Sequence, residues 1–340
     1  MHFMKKSSKC IINIFSLKYL VSKRMSTQPK FLKEDYLLAK CKQLPPSLSQ
    51  DKHKGEAGRI GVFGGSLEYT GAPYYAAITS LKVGADLVYV FCMKEAATVI
   101  KTYSPELIVL PYLDHSQAAT KIEPWLERLH VILIGPGLGR DESTFNVIKQ
   151  VISLCKKLRK PLVIDADGLF LISNNIDLIK DYPNKLILTP NIVEFSRLVG
   201  NSETEKYRTN SARLFELCSN LTIVVKGPED IIFDKAIETK VTGSGSGRRS
   251  GGQGDLLAGA VATFLCWSMQ KDIPIESEES HDERALLASF GGCKLVRECN
   301  KVAFSKFGRS MTALDMTSMV HTVFDHYFEN KKNVIGSVFD

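Results

Sequence analysis

The sequence predicts an α/β protein with a mainly parallel sheet covered by helices on both faces. Three observations predict it. Short β-branched apolar runs recur along the chain, nearly continuous in apolar character, as strands covered on both faces should be. Helical patterns alternate with these runs, which is the signature of a layered α/β fold. Glycine-rich turns follow several runs directly, at the strand ends where open α/β sheets gather their ligands.

The elements follow in order. Residues 1–33 carry eight Lys/Arg and no acid, the first acid being Glu34. This tail is expected to be disordered or a mitochondrial presequence, and Met25 offers an alternative start. A cytoplasmic location is expected for the body, with mitochondrial import as the alternative. Strands are expected at Arg59–Phe63, Asp86–Phe91, Leu107–Leu110, His130–Ile134, Pro161–Ile164, Lys185–Leu188 and Leu221–Val225. Helices are expected at Pro73–Val83 and Ser143–Leu158; the second carries Phe145, Val147, Ile148, Val151, Ile152 and Leu154 at i, i+3, i+4 spacing. Ile231–Phe233 and Lys240–Thr242 read as an antiparallel edge hairpin. Asp255 to Phe328 reads as chiefly helical, interrupted by an acidic surface loop at Glu276–Glu283. No linker divides residues 34–340, so one catalytic domain is expected.

Composition narrows the function. The 340 residues are 44% hydrophobic and 24% charged, which excludes a disordered chain. No apolar run approaches the ~18 residues of a membrane span. The net charge of +7 resides in the tail: the rest has 36 basic against 37 acidic residues, so a nucleic-acid surface is not expected. The eight cysteines form no C-x-x-C pair, which argues against a zinc ribbon and a disulfide framework.

The segment richest in chemistry is Gly243–Gly259. Glycines crowd it up to Gly254, and Leu256, Leu257, Ala260, Val261 and Phe264 then describe a buried helix. A glycine loop running into a helix start offers clustered N–H groups and the positive end of the helix dipole, an anion hole suited to phosphate. Asp255 falls on the first turn beside that hole. A carboxylate there is costly unless it takes a proton from a nucleophile or holds a metal. The alternative is a glycine loop with a capping Asp. Neither G-x-x-x-x-G-K-[ST] nor G-x-G-x-x-G occurs.

The Gly252-Gln253-Gly254-Asp255 run resembles the Gly-x-Gly-Asp signature of the ribokinase-like kinases. Six further segments are similar, in order, to the ATP-dependent NAD(P)H-hydrate dehydratases: Lys54–Gly58, Val62–Ser66, Gly135–Arg140, Asp165–Gly168, Asn191–Arg197 and Lys226–Asp230. The resemblance runs from about Leu44 to about Phe328. It implies a ribokinase-like three-layer α/β/α sandwich. It implies repair of the (S)-form of hydrated NADH and NADPH (NADHX and NADPHX), with ATP as co-substrate and Mg²⁺ as cofactor. By position, Gly137, Asn191, Ile192, Val193, Glu194, Phe195, Ser196, Arg197 and Asp255 would meet the hydrated dinucleotide. Lys226, Gly227, Pro228, Glu229 and Asp230 would meet ATP. So would Gly245, Ser246, Gly247, Arg248, Arg249, Ser250, Gly251, Gly252, Gln253 and Gly254. Ser250 stands where the family often has Cys, a change that keeps the small size. Asp165 and Asp167 read either as strand-end residues holding loops or as magnesium ligands. A small-molecule kinase of the same fold and an inactive nucleotide-binding protein are the competing readings. Asn191–Arg197 argues against the first and an intact Asp255 against the second.

Overall fold

The computed structural model describes residues 29–200, 207–243, 245–271 and 282–329. Ten strands form one sheet: β1 (Lys30–Phe31), β2 (Arg59–Phe63), β3 (Leu87–Phe91), β4 (Ile108–Leu110), β5 (Val131–Ile134), β6 (Leu162–Ile164), β7 (Leu186–Leu188), β8 (Leu221–Val225), β9 (Asp230–Phe233) and β10 (Ile237–Val241). Their spatial order is β1-β10-β9-β8-β7-β6-β5-β2-β3-β4. Neighbours are parallel except where β9 runs against both β8 and β10. The seven expected strands are present within one residue at either end. The edge hairpin is also present, one residue longer in its first strand and shifted to Ile237–Val241 in its second.

Side chains alternate between the two faces, as the pleat requires. Val131 and Leu133 pack on one face with Val163 and Ile187, while Ile132 and Ile134 pack on the other with Leu162 and Leu186. The first face is covered by α1 (Glu34–Cys41), α2 (Gly71–Val83) and α3 (Lys94–Tyr103), and by three C-terminal helices described below. The second face is covered by α4 (Ala118–Arg128), α5 (Glu142–Lys157), α6 (Ala166–Asn174), α7 (Ile192–Val199) and α9 (Ala212–Leu217), with the short α8 (Tyr207–Asn210) beside them. The architecture is therefore a three-layer α/β/α sandwich.

The remaining helices are α10 (Gln253–Gln270), α11 (Arg284–Phe307) and α12 (Ala313–Phe324). Helix α10 is buried without a break from Leu256 to Ser268. That is why its apolar residues show no clear stripe: it has no solvent face.

Two expectations need adjustment. The tail is expected to span residues 1–33, yet Lys30 and Phe31 pair in parallel with Ile237 and Glu238, and Leu32 is buried. The tail carries no strand signal because β1 is two residues long at a sheet edge. Residues 1–28, including Met25, lie outside the described residues. Of the acidic loop, residues 276–281 also lie outside them. Asp282 is not simply solvated: its carboxylate pairs with Lys185 at 2.9 Å and Arg284 at 3.3 Å at the start of α11. All seven described cysteines are free and buried. Among the described residues, no helix is long and apolar enough to cross a membrane.

Candidate functional site

Parallel pairing of β5 through β8 brings their C-terminal ends to one rim. Each end delivers one candidate segment: Gly135–Arg140 after β5, Asp165 after β6, Asn191 after β7 and Lys226 after β8. The chain order reverses between β5 and β2, so the rim contains the crevice that such sheets use for ligands. The segments pass very close together. Gly135 has φ +128°, and a Cβ there would fall 1.8 Å from the Asp165 carbonyl oxygen. Only glycine lets the two loops cross.

Lys226 stands at the centre of the rim. Its Nζ donates to Asp165 Oδ1 at 2.7 Å and lies 4.0 Å from Glu194 Oε2. Asp165 is 1% exposed and also accepts from Thr189 Oγ1 at 2.9 Å. Burial works against the Lys226 charge, but the carboxylates of Asp165, Glu194 and Asp255 outweigh it, and its pKa rises. Burial raises the Glu194 carboxyl, with Lys226 opposing. Read alone, Lys226 resembles a surface lysine; its neighbours make it the hub of a charge cluster.

Asp255 occupies the first turn of α10, next to that hub. Burial, and then the negative charge of Asp165, push its carboxyl up from 3.8 to about 7, against the pull of Lys226. A carboxyl poised near neutrality in a cleft is suited to proton transfer.

The glycine loop is shaped for this position. Gly252 has φ +93°, and a Cβ there would strike Ala313 at 2.7 Å and Tyr75 at 2.8 Å. It is glycine for the fold. At Gly254 a Cβ would meet only Lys226 Nζ, at 3.4 Å, so its bareness serves the site. The loop also holds itself: Gln253 Nε2 donates to the Arg248 carbonyl and to Ser250 Oγ, each at 3.1 Å. Arg248 Nε donates to the Met311 carbonyl at 3.3 Å, while Arg249 is exposed.

Below the loop lies a cavity of about 500 Å³. Lys226, Gly227, Pro228, Asp230, Gly245, Arg249, Ser250, Gln253 and Gly254 line it, and Asn191 reaches its edge. Most of the residues expected at ATP are thus brought around one space. Glu229 points elsewhere and pairs with Lys240 at 3.6 Å. A Cβ at Gly247 or Gly251 would meet nothing within 4 Å, so both stand in open space, and Ser246 donates its N–H to Asn300 Oδ1 at 2.6 Å.

Sequence reasoning missed one wall of this cavity. Cys293, Val296, Arg297 and Asn300 line it from α11. Their i, i+3, i+4, i+7 spacing marks one helix face, but nothing in the spacing says that the face opens on a cavity. Arg297 donates from Nε to Asp230 Oδ2 at 2.6 Å, and from its two Nη atoms to the Pro228 and Gly227 carbonyls at 2.7 and 2.8 Å. It fixes the shape of the Gly227–Asp230 turn. Asp230, expected at ATP, acts through this pair: it also accepts from the Gly227 N–H at 3.2 Å.

Asn191–Arg197 is a capped helix start as well as part of the rim. Asn191 Oδ1 accepts from the N–H groups of Val193 and Glu194, and Glu194 Oε2 accepts from the Asn191 N–H at 2.8 Å. Ile192 and Val193 are exposed, and Ser196 bonds back to the Ile192 carbonyl. Phe195 departs from expectation. Its side chain is 1% exposed and packs edge-on against Tyr207 and Phe233, so it anchors α7 in the core and presents nothing to a ligand. Its i+3 pairing with the apolar Leu198, which is also buried, was the available signal. Gly137 lies against Tyr69 and Pro73 at the crevice.

Asp167 holds a loop: its carboxylate accepts from the Gly139 N–H and from Arg140 Nε, both at 3.1 Å. Asp167 therefore spends both oxygens on protein donors, while Asp165 Oδ1 and Glu194 Oε2 are engaged in the same way. Among the described residues no three His, Cys, Asp or Glu side chains converge as a metal cage. That donor set fits an ion carried in on nucleotide phosphates, which keeps several waters and needs one or two carboxylates from the protein.

Comparison with known proteins bears on the family and the fold. Residues 60–321 match the sequence profile of the family described as NAD(P)H-hydrate dehydratase. The ATP-dependent (S)-NAD(P)H-hydrate dehydratase of Aedes aegypti is 51% identical over 314 residues, 92% of this chain and 90% of that protein. The Mus musculus protein of the same name is 45% identical over 292 residues, 84% of each chain. Among solved structures, a ribokinase-like superfamily protein of Enterococcus faecalis superposes with a TM-score of 0.70 at 25% identity, covering 88% of this chain and 96% of that one. The ADP/ATP-dependent NAD(P)H-hydrate dehydratase of Bacillus subtilis, co-crystallised with ATP and Mg²⁺, gives 0.65 at 22% identity, covering 89% and 100%. With the profile spanning most of the sheet and its C-terminal rim, and relatives near half identity over nearly the whole chain, this protein belongs to the NAD(P)H-hydrate dehydratase family.

Proposed function

We propose that the protein dehydrates the (S)-form of hydrated NADH and NADPH at the expense of ATP. The observation that carries the reading is Asp255: a carboxyl held near neutrality on the first turn of α10, between the Lys226 cluster and a nucleotide-sized cavity. The cavity takes ATP, with the N–H groups of the Gly251–Gly254 loop facing its phosphates. Bound magnesium would supply charge neutralisation on those phosphates, with Glu194 as the carboxylate that would contact it. The hydrated dinucleotide lies across Gly137 and the start of α7.

Asp255 accepts the proton of the C6 hydroxyl as that oxygen attacks the γ-phosphorus. The new O–P bond forms as the bond to ADP breaks. Phosphate is a far better leaving group than hydroxide. The ring-nitrogen lone pair then expels it from C6, and a proton leaves C5 to restore the dihydropyridine. Lys226, Arg249 and the loop N–H groups stabilise the charge on the transferring group. We assign the body to a single catalytic domain in the cytoplasm, with mitochondrial import resting on the tail; imaging long and Met25-initiated forms separates the two.

The test is incubation with ATP, Mg²⁺ and acid-hydrated NADH, following return of dihydronicotinamide absorbance and release of phosphate. Equimolar NADH and phosphate are expected. ATP consumption without NADH recovery, or neither, refutes the proposal.

A further inference from the structure

We propose that Arg140 and Arg197, set against the ring of Phe170, form the subsite for phosphate groups of the dinucleotide substrate. The inference rests on the reading of this protein as acting on hydrated NADH and NADPH.

The Arg140 guanidinium carbon lies 4.2 Å from the Phe170 ring centroid, and that of Arg197 lies 5.4 Å from the same centroid. The two cations therefore stand no farther apart than those distances laid end to end. They come from different elements: Arg140 from the turn after β5, Arg197 from α7, which follows β7. Both belong to the rim that carries Asp255, and the charge of Asp167 bears on Asp255.

Arg140 is restrained as well as stacked. Asp167 Oδ1 takes its Nε proton while Oδ2 takes the Gly139 N–H, so one carboxylate orients both the loop and the guanidinium. Among the described residues no hydrogen bond engages the Nη groups of Arg140, and its side chain is 57% exposed. Among the described residues, no hydrogen bond or ion pair engages the Arg197 guanidinium. Two like charges gathered on one ring and left largely in solvent add little to folding, since exposed ion pairs and screened charges contribute little. They suit a planar fork gripping phosphate oxygens. The dinucleotide brings such oxygens from its bridging pyrophosphate and, in the NADP form, from the ribose 2′-phosphate.

The experiment measures calorimetric Kd for NADH, NADPH and ATP with the full chain, Arg140→Ala, Arg197→Ala, and Lys157→Ala as a charge control remote from the rim. NADH and NADPH are the reaction products and carry the same phosphates as the substrates. Each arginine variant should weaken dinucleotide binding by roughly 10- to 100-fold, the loss of a charge-assisted contact. Its salt dependence should flatten too. ATP affinity and the Lys157→Ala variant should not move. Equal loss for both dinucleotides identifies the pyrophosphate; loss for NADPH alone identifies the 2′-phosphate. Unchanged dinucleotide affinity in both arginine variants, equal weakening of ATP, or failure of the unaltered protein to bind either dinucleotide overturns the proposal. Dinucleotide binding through the arginines without turnover of hydrated NADH would instead refute only the proposed reaction.

Discussion

Replacing Asp255 by Asn should cost activity and add stability, and the two effects have one cause. The carboxyl is raised from 3.8 to about 7 by burial and by Asp165. Each tenfold weakening of an acid corresponds to about 1.4 kcal/mol of preference for its protonated form. Partial exposure and relaxation reduce the sum, so a penalty of roughly 1–3 kcal/mol for the ionised form is expected. The sign follows from proton linkage. Below the unfolded value, near 4, both states are protonated and there is no penalty. As pH rises towards 7 the unfolded chain releases its proton first, and folding stability falls. Above 7 the whole penalty is present. An asparagine at this position carries no charge, so the Asp255→Asn protein should melt a few degrees higher than the unaltered protein at pH 8. The two should converge towards pH 4. Its kcat should fall ~10²–10⁴-fold, the usual contribution of a positioned base. In the unaltered protein kcat should decline as pH drops below about 7. The assays are thermal melts without ligand across that pH range and NADH recovery at saturating ATP. Near-normal turnover would falsify the base assignment. An equal or lower melting temperature at pH 8 would refute the strained-carboxylate argument.

The other expectations can be checked quickly. Gly254→Val should raise the KM for ATP strongly with the fold intact, whereas Gly252→Ala should lower the melting temperature because its Cβ strikes Tyr75 and Ala313; steady-state kinetics and melting curves read both. Arg297→Ala should raise the KM for ATP by about tenfold or more, since it frees the Gly227–Asp230 turn. Arg297→Lys should recover only part of that loss, because a lysine cannot span three acceptors; retention of full ATP affinity in Arg297→Ala removes the residue from the site. A chain beginning at Met25 should keep full activity. One beginning at Glu34 should lose stability, because it lacks β1 and the buried Leu32; comparing soluble yield and turnover of the two settles it.

The sheet was legible because β5 to β8 are buried on both faces and leave continuous apolar runs. Their ends carried the motifs, so the position of Gly135, Asn191 and Lys226 on one rim followed from parallel pairing. Burial within a loop or helix was harder to read. Phe195 lies inside the Asn191–Arg197 motif, yet it faces the core, and only its i+3 pairing with Leu198 marks it as buried. Arg297 and Asn300 were illegible for a different reason. They act on loops about 70 and 54 residues away, through contacts that no local pattern encodes. Lys226 looked like a surface lysine because the carboxylate that holds it, Asp165, is 61 residues distant.

The pairing of β1 with β10 has a consequence for the nascent chain. Lys30 lies opposite Ile237, Thr239 Oγ1 donates to the Leu32 carbonyl, and the Thr242 N–H donates to Glu34, 208 positions earlier. During synthesis the ribosome must deliver some two hundred further residues before these partners exist. The first strand of the sheet to be made is therefore among the last to be secured, after a loop closure of high contact order. Until then β1 has no strand to pair with, and its docking on β10 closes that edge of the sheet.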